Sequence, residues 1–286
     1  MFVTQKEPIQ ESHMALTSVL IPVFNNLAML EQVVATLIQH ADAPMEIILV
    51  DNASFEPGVD EAYARLAQQP QVSIIRNAEN RGFGKANNQA LAVARGDYIA
   101  LINSDMFMTG PWMRAAQARF ASNPNIGAVQ LRIILPSTDQ PMEQWQTQTC
   151  GARFLPDGMP VYLLPNLPMN DPRVLEAFPL QAFMGAGVIL KREVINQVGF
   201  FDEEYDLVFF EDTDLSLRVS EAGHDIFYEP QAFVIHLHSA SMPHLTQETY
   251  DRSRKNNQKL FVKKWPIHKI HGILVARGFP DPRSES

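Results

Sequence analysis

The chain contains little that would suit a secreted or membrane-spanning protein. Only one cysteine, Cys150, is present among 286 residues, so no disulfide can form within the chain. The first residues, MFVTQKEPIQESHM, have no apolar core of the kind that a signal peptide needs. No stretch approaches the roughly 20 apolar residues of a membrane span. These absences predict a protein of the reducing cytoplasm.

Positive charge is also scarce, because 23 Lys and Arg stand against 32 Asp and Glu, for a net charge of −9. This balance argues against binding to nucleic acid, whose phosphates are held mainly by arrays of Lys and Arg. Basic and apolar residues mix only in the tail KLFVKKWPIHKIHGILVARGF. Two interpretations of the tail stay open: a segment packed on the domain, and a peripheral contact with the inner face of a membrane.

Apolar runs alternate with segments of helical periodicity through the first half of the chain. The pairs are LTSVLIPVF with LAMLEQVVATLIQ, MEIILVDN with VDEAYARLAQ, VSIIRN with GKANNQALAVA, and YIALIN with PWMRAAQARFA. Such alternation is typical of βα units on a parallel sheet. We therefore expect an α/β fold, with a mostly parallel, Rossmann-like central sheet flanked by helices.

The pattern divides the chain into an extension (residues 1–15), one domain (residues 16–241) and a helical C-terminal tail (residues 242–286). Residues 136–179 are rich in Pro, Gln and Met with few periodic apolar positions, which predicts an irregular excursion on the acceptor side of the site. After it we expect a glycine-interrupted strand in LQAFMGAGVILK, a short helix, and a second helix from about Thr213 to Ala222. Two short strands, DIFYE and AFVIHLH, complete the domain.

Acidic residues follow two of the predicted strands and recur once far downstream. Asp51 ends the second strand and Asp105 follows the fourth, so both are expected at the edge where parallel strands end and ligands gather. The stretch VFFEDTD sets Glu211, Asp212 and Asp214 behind two phenylalanines. A carboxylate beside aromatic rings should have a raised pKa, which suits a general base.

Each acidic group also has a structural interpretation. Asp51 and Asp105 could form turns in which the side chain accepts hydrogen bonds from the backbone. Asp212 or Thr213 could cap the following helix, with Asp214 in its first turn. His236 and His238 alternate at the end of an apolar strand, where an imidazole is either a structural hydrogen-bonding group or a ligand of Mg²⁺ or Mn²⁺.

Seven motifs occur in an order that resembles the inverting glycosyltransferases of family two, which have the A-type nucleotide-sugar fold. The motifs are IPVFNN, EIILVDNAS, NAENRGFGKANNQAL, GDYIALINSD, FMGAGVILKRE, VGFFDEEYDLVFFEDTDLSLRVSEAG and FVIHLHSAS. The likeness covers about residues 16–241 and looks strongest to the bacterial branch with rhamnosyltransferase-like enzymes of surface-polysaccharide assembly. Family members are transferases that take part in cell wall biogenesis.

The resemblance implies transfer of a hexosyl or rhamnosyl group from a nucleotide diphosphate-sugar, such as a UDP- or dTDP-sugar, to a glycan or lipid-linked acceptor, with Mg²⁺ or Mn²⁺ as cofactor. It implies general-base catalysis by Asp212 with support from Glu211, and metal binding by Asp105 and His236. The sugar would border Met184, Gly185 and Ala186. The nucleotide would contact Pro22, Val23, Asn25, Asp51, Asn80, Gly82, Asn87 and Asn103.

Two positions depart from the family pattern. Asn103 replaces the first acid of the Asp-x-Asp motif, which leaves fewer charged ligands for a metal, and Ser239 stands where a glycine often follows the histidine. Two other functions remain open. A sugar nucleotidyltransferase usually has a glycine-rich, basic loop after the first strand, whereas this chain has PVFNN. A non-catalytic nucleotide-sugar-binding module would have no need of Glu211 and Asp212 together.

Overall fold

The computed structural model describes residues 15–137, 139–237 and 246–281. Most of the predicted N-terminal extension, together with His238 and Ser239, lies outside these residues. The strands are β1 Thr17–Val23, β2 Met45–Asp51, β3 Val72–Arg76, β4 Tyr98–Leu101, β5 Met106–Met108, β6 Ile126–Leu135, β7 Gln146–Thr149, β8 Ala152–Phe154, β9 Pro160–Tyr162, β10 Pro179–Leu180, β11 Val188–Lys191 and β12 Asp225–His236. The helices are α1 Leu27–Gln39, α2 Val59–Leu66, α3 Phe83–Val93, α4 Met113–Ser122, α5 Arg192–Val198, α6 Glu211–Glu221, α7 Gln247–Lys264 and α8 Ile267–Ala276.

One mixed sheet organises the described part of the domain. Its strand order is β10-β12-β6-β11-β4-β1-β2-β3, with β5 added to β12 and β7 added to β6. The run β4-β1-β2-β3 is parallel, as is the pair β6-β12. Strand β11 lies antiparallel between β4 and β6. The predicted α/β architecture with a mostly parallel central sheet is confirmed.

Both faces of the sheet are covered, which explains why its strands are apolar runs rather than alternating ones. In β1, Val19 and Ile21 pack with Leu30 and Leu37 of α1 in one core cluster. Leu20, between them, faces the other cluster. The spacing of apolar residues in α1 matches one face of a helix, so burial against the sheet stabilises it.

Residues 136–179 differ from the irregular excursion that the sequence predicts. Strand β7 pairs with β6 and thereby extends the main sheet, and β8 and β9 form a hairpin. Cys150 is fully buried in the core. The segment lacks apolar periodicity because its strands are only three or four residues long, too short for alternation to register.

Two boundaries differ from prediction for identifiable reasons. Helix α6 begins at Glu211 rather than near Thr213, with Phe210 in the left-handed conformation before it. The two predicted strands near the end of the domain form one strand, β12. Its register against β6 shifts between Glu229 and Phe233, around Pro230, which cannot donate a ladder hydrogen bond.

The predicted helical tail is confirmed as α7 and α8. Phe261, Trp265, Ile270 and Leu274 are buried in a cluster with Leu217 of α6. The tail therefore packs on the domain beside the helix that starts at Glu211. Among the described helices, none combines the length and the apolar character needed to cross a bilayer.

Candidate active site

A cavity of about 510 Å³ opens at the edge of the sheet where β4 and β12 end. The loop after β4, the loop before β11 and the first turn of α6 contribute its walls, and β9 and α7 contribute its outer rim. Its lining includes the predicted residues Asn103, Asp105, Met184, Gly185, Ala186, Glu211, Asp212 and His236. The structure thus brings together groups that are separated by more than one hundred positions in the sequence.

Asp105 and His236 face each other across the floor of this cavity. Both are buried, and the imidazole Nε2 lies 3.1 Å from Asp105 Oδ1. The other ring nitrogen, Nδ1, lies 2.6 Å from Oε1 of the buried Gln148. Because an amide oxygen only accepts, Nδ1 carries the proton and donates to Gln148. Nε2, the second ring nitrogen, faces the carboxylate of Asp105.

This donor set fits a divalent cation. Two electron-pair donors that face each other at close range repel unless a proton or a metal ion lies with them. A carboxylate oxygen with an imidazole nitrogen is a ligand combination that suits Mn²⁺, and carboxylate oxygens suit Mg²⁺. Within residues 15–137, 139–237 and 246–281, no group of three or more His, Cys, Asp or Glu side chains is arranged to hold a metal.

Asp212 is a half-buried carboxylate held in place by backbone donors. Its Oδ2 accepts a hydrogen bond of 2.9 Å from the Gly185 amide, and its Oδ1 accepts one of 2.7 Å from the Thr213 amide. Desolvation raises the pKa of Asp212 above its usual value, and these hydrogen bonds oppose the shift. The result is an oriented carboxylate with increased basicity.

Glu211, its neighbour, has a different environment. The side chain is 7% exposed, and its Oε2 is buried without a hydrogen-bond partner among the described residues. Burial and the charge of Asp212 raise the pKa of Glu211 well above its usual value. The neutral form of Glu211 is therefore favoured, and Asp212 is the member of the pair that ionises.

Gly185 lets the loop before β11 approach Asp212. A Cβ at this position would lie 3.0 Å from Asp212 Cβ and 3.2 Å from a Phe83 ring carbon. The family resemblance implies that a sugar borders this loop. In the structure, the close neighbour of Gly185 is Asp212 itself, and the amide of Gly185 is one of the groups that orients it.

Asp214, the third acid of the cluster, serves the packing of the tail. Its fully buried carboxylate contacts Arg218 at 2.8 Å, Lys264 at 2.6 Å and the Trp265 indole nitrogen at 2.8 Å. It is not among the described residues that line the cavity. The structural interpretation, which places Asp214 in the first turn of the helix, is therefore correct. From this position Asp214 connects α6 with the end of α7.

The predicted nucleotide contacts lie at the ends of β1 and β2, in the loop after β1, around the start of α3 and after β4. Asn103 lines the cavity, and the others are not among its described lining residues. Asp51 is buried, accepts a hydrogen bond of 2.9 Å from the Ser54 amide and lies 3.3 Å from Arg76 Nε. Asn25 is in the left-handed conformation. Its side-chain oxygen accepts a hydrogen bond from the Phe55 amide, and its backbone amide donates one to Ser54 Oγ. Pro22 and Val23 end β1 beside β2, in register with Val50 and Asp51.

The remaining predicted nucleotide contacts have local structural partners. Asn80 accepts a hydrogen bond of 2.9 Å from the Gly82 amide, and Asn87 donates to the Phe83 carbonyl at 3.0 Å. Gly82 has φ of +83°, and a Cβ there would lie 2.7 Å from the Leu207 Cα. Only glycine permits this approach of two backbones. The loop before α3 therefore supports the segment that leads to Asp212.

Several residues that line the cavity or fix its loops were missed by sequence reasoning. Gln130, fully buried, accepts from the Met184 amide at 2.7 Å and donates to the Gly187 carbonyl at 2.7 Å, which fixes the loop before β11. Gln148 fixes the imidazole of His236. No local signal marks either glutamine, because each role depends on a partner more than fifty positions away. The outer lining also contains Tyr162, Tyr250 and Arg254.

Several known proteins with similar sequences are named as glycosyltransferases. A pre-mycofactocin glycosyltransferase of Mycobacterium tuberculosis is 25% identical over 238 residues, which cover 83% of this chain and 46% of the relative. An N-acetylglucosaminyl-diphospho-decaprenol L-rhamnosyltransferase of the same organism is 28% identical over 231 residues, which cover 72% and 71%. The chain spans less than half the length of the first curated relatives that it matches, with shares of 28% and 46% of their lengths.

Comparison with solved structures supports the same fold. A structure of GalNAc-T7 with UDP, GalNAc and Mn²⁺ superposes with a TM-score of 0.70 at 16% identity, covering 93% of this chain and 51% of that one. The predicted A-type glycosyltransferase fold is therefore confirmed. The family model for "Glycosyl transferase family 2" matches residues 18–199. The chain belongs to glycosyl transferase family 2.

Proposed function

We propose that the protein is a metal-dependent, inverting glycosyltransferase that moves a sugar from a nucleotide diphosphate-sugar to an acceptor hydroxyl. The observation that carries the proposal is the single cavity lined by both Asp105 and Asp212. One carboxylate belongs to a donor set for a divalent cation, and the other is an oriented base of raised pKa. A metal-dependent transfer with inversion by a general base needs both groups beside the same sugar.

Asp105 and His236 would hold Mg²⁺ or Mn²⁺ together with oxygens of the donor diphosphate. When bound, the cation supplies Lewis-acid stabilisation of the charge that develops on the departing nucleoside diphosphate. Gln148 keeps the proton on Nδ1 of His236, so that Nε2 remains an electron-pair donor. Asn103, which lines the cavity two residues before Asp105, is proposed to contact the nucleotide with Pro22, Val23, Asn25, Asp51, Asn80, Gly82 and Asn87.

Asp212 is proposed to take the proton of the acceptor hydroxyl as the new glycosidic bond forms. The hydroxyl oxygen bonds to the anomeric carbon, the bond to the diphosphate breaks, and the proton moves to the carboxylate. The amides of Gly185 and Thr213 hold Asp212 in one orientation. Glu211, whose pKa is raised well above its usual value by burial and by the charge of Asp212, is proposed to support its neighbour from this buried position. A single displacement of this kind inverts the anomeric configuration, and Met184, Gly185 and Ala186 would border the sugar.

The outer lining of the cavity fits a saccharide acceptor. Tyr162 on β9 and Tyr250 on α7 offer aromatic faces, and Arg254 adds a positive charge on the same helix. Aromatic rings pack against the apolar faces of sugars, and an arginine binds phosphate or carboxylate groups. We infer that the acceptor is a glycan or lipid-linked saccharide of polysaccharide and cell wall assembly. The transferred sugar would be a hexosyl or rhamnosyl group.

A lipid-linked acceptor would require the protein to approach a membrane, and α7 carries a suitable surface. Arg252, Lys255, Lys259 and Lys263 recur at spacings of three and four and are exposed. They form no ion pair with a residue in the described part of the chain, although the chain as a whole has a net charge of −9. Val262, 50% exposed, lies on the same stripe. We propose that this basic stripe contacts anionic lipid at the inner face of the membrane.

Release of nucleoside diphosphate from a panel of nucleotide-sugars, with Mn²⁺ or Mg²⁺, tests the enzymatic proposal. We expect one donor to be consumed by the wild type and not by Asp212→Asn, with a chelator stopping the reaction. Binding of a donor without turnover would indicate a non-catalytic module. Formation of nucleotide-sugar from a nucleoside triphosphate and a sugar phosphate would instead indicate a nucleotidyltransferase.

Co-sedimentation with lipid vesicles tests the membrane proposal separately. The wild type should bind vesicles that contain phosphatidylglycerol and should not bind vesicles of phosphatidylcholine alone. Reversal of Lys255 and Lys259 to Glu should weaken binding by at least ~10-fold, since each basic residue near an anionic surface contributes about 1 kcal/mol. The matched control reverses Arg65 and Arg173, which are exposed outside α7, so that the net charge changes by the same amount. Equal binding to both kinds of vesicle would contradict the proposal.

A further inference from the structure

The segment that leads into α6 has a strained backbone. Phe209 and Phe210 have φ of +83° and +70°, in the left-handed region that bulky residues rarely adopt. Such conformations cost of order 1–3 kcal/mol each and persist only where neighbouring structure enforces them. Glu211 and Asp212 follow immediately, so the conformation of this segment decides where the proposed base lies.

Two polar residues of α7 are buried against this segment. Ser253 is 0% exposed and Asn257 is 1% exposed, although most of the helix around them faces solvent. They stand one helical turn apart, so both side chains lie on the same face. Buried polar groups persist in proteins when their hydrogen bonds are satisfied, and here the partners are backbone atoms of residues 206–209.

Asn257 uses both ends of its amide on the backbone of residues 206–209. Its Oδ1 accepts a hydrogen bond of 2.8 Å from the Asp206 amide. Its Nδ2 lies within hydrogen-bonding distance of three carbonyl oxygens, those of Asp206 at 2.7 Å, Val208 at 2.8 Å and Phe209 at 3.1 Å. Ser253 Oγ adds longer contacts to the Asp206 and Val208 carbonyls, at 3.3 and 3.2 Å.

The opposite side of the segment is also fixed. The Leu207 carbonyl accepts a hydrogen bond of 2.8 Å from the Phe83 amide, and the Leu207 backbone packs on Gly82. Residues 206–209 are therefore held between the start of α3 and the buried face of α7. The family model ends at residue 199, so the contacts from α7 belong to a part of the chain that the model does not cover.

We propose that Asn257, assisted by Ser253, is a positioning residue that sets the orientation and desolvation of Asp212 by holding residues 206–209 in their strained conformation. The inference rests on the proposed function of Asp212. It assigns to α7 a part in the transfer step, in addition to its packing on the domain.

Hydrogen–deuterium exchange tests the structural half of the proposal without any substrate. In Asn257→Ala, amides of residues 206–212 should exchange at least ~10-fold faster than in the wild type, while the strands β1 and β2 keep their protection. Asn256→Ala is the matched control, because Asn256 is its exposed neighbour on the same helix. Faster exchange throughout the protein, or no change in residues 206–212, would overturn the proposal.

Kinetics test the catalytic half. With the donor that the nucleotide-sugar panel identifies, Asn257→Ala should lower kcat at least ~10-fold and leave the Kd for the donor within about twofold, since misplaced catalytic groups cost rate rather than binding. Ser253→Ala removes only the longer contacts of Oγ to the Asp206 and Val208 carbonyls, so it should show a smaller loss. An unchanged kcat despite faster exchange would refute the positioning role.

The two experiments separate failure of this proposal from failure of the proposed function. If the wild type turns over no donor, the function fails, and the exchange measurement still decides whether Asn257 holds the segment. If Asn257→Ala does not fold, Ser253→Ala provides the same comparison with smaller expected effects.

Discussion

At the residue scale, the site depends on two adjacent carboxyl groups with different surroundings. Asp212 reaches the cavity and receives amide hydrogen bonds, whereas Glu211 has a buried oxygen without a described partner. Burial raises the pKa of both, and the stronger effect on Glu211 leaves the negative charge on Asp212. A carboxylate of raised pKa that is also fixed in direction is better suited to proton abstraction than a solvated one.

Asp212→Asn should preserve the fold and donor binding while lowering transfer by at least ~10²-fold, the range usual for loss of a general base. An amide cannot accept the acceptor proton, yet its oxygen can still accept from Gly185 or Thr213. Steady-state turnover with parallel calorimetry of donor binding measures both effects. Turnover close to that of the wild type would remove Asp212 from its proposed role.

Glu211→Gln should make stability less sensitive to pH. The pKa of Glu211 is raised on folding, so its protonated form stabilises the fold below the unfolded pKa, near 4.5, and this contribution is lost as the pH rises towards the folded value. Glutamine cannot ionise. The melting temperature of the variant relative to the wild type should therefore increase between pH 4 and pH 8 by a few degrees, the scale of about 1 kcal/mol. A constant difference would contradict the assigned environment.

Asp105→Ala should weaken nucleotide binding only when a divalent cation is present. The carboxylate of Asp105 is one of the two protein groups proposed to hold the cation, so its loss removes the advantage that Mn²⁺ gives to the diphosphate. Calorimetry of UDP or dTDP with and without Mn²⁺ measures this advantage directly. The same affinity gain from Mn²⁺ in variant and wild type would count against the ligand role.

At the residue scale, the sequence predicts the acids and His236 and does not predict the groups that orient them. Acids behind strands carry a local signal, whereas Gln130 and Gln148 do not, because their partners are set by the pairing of β11 and β12 with β6. The role of Asn257 is not predicted for the same reason, because no nearby sequence feature indicates that residues 206–209 are its partners.

At the element scale, the loop before β11 and the start of α6 form one wall of the cavity. The absence of a side chain at Gly185 brings the loop amide within 2.9 Å of Asp212. Helix α6 begins at Glu211 because Phe210 turns the chain in the left-handed region, which places Asp212 in the first helical turn. The sequence predicts the helix and misplaces its start by two residues, because the strain at Phe209 and Phe210 depends on tertiary contacts with α7.

Gly185→Ala should lower kcat at least ~10-fold with a small effect on stability. The new methyl group would lie 3.0 Å from Asp212 Cβ, so the carboxylate must shift by a few tenths of an ångström or more, and misplacement by about 1 Å can cost 10²-fold in rate. Turnover and melting temperature together check this expectation. Gly110→Ala, where a Cβ meets nothing within 4 Å, is the control.

At the scale of the whole molecule, the sheet and the tail have separate tasks. The parallel run β4-β1-β2-β3 and the added strands bring Asp105 and His236 to one edge. The tail packs beside α6, and the buried carboxylate of Asp214 on α6 contacts Lys264 and Trp265 of the tail. The alternation of strands and helices in the sequence predicts the first arrangement. The alternation cannot predict how the tail packs, because the sequence of the tail contains no periodic signal that indicates which element it contacts.

The central claim is that Asp105 and Asp212 act on the same sugar in one cavity. A crystal structure of the chain with Mn²⁺ and UDP or dTDP, with the cation located by its anomalous scattering, tests it most directly. We expect the cation beside Asp105 and His236, with the diphosphate in the cavity that Asp212 lines. A diphosphate and cation bound elsewhere on the protein, away from Asp212, would contradict the account.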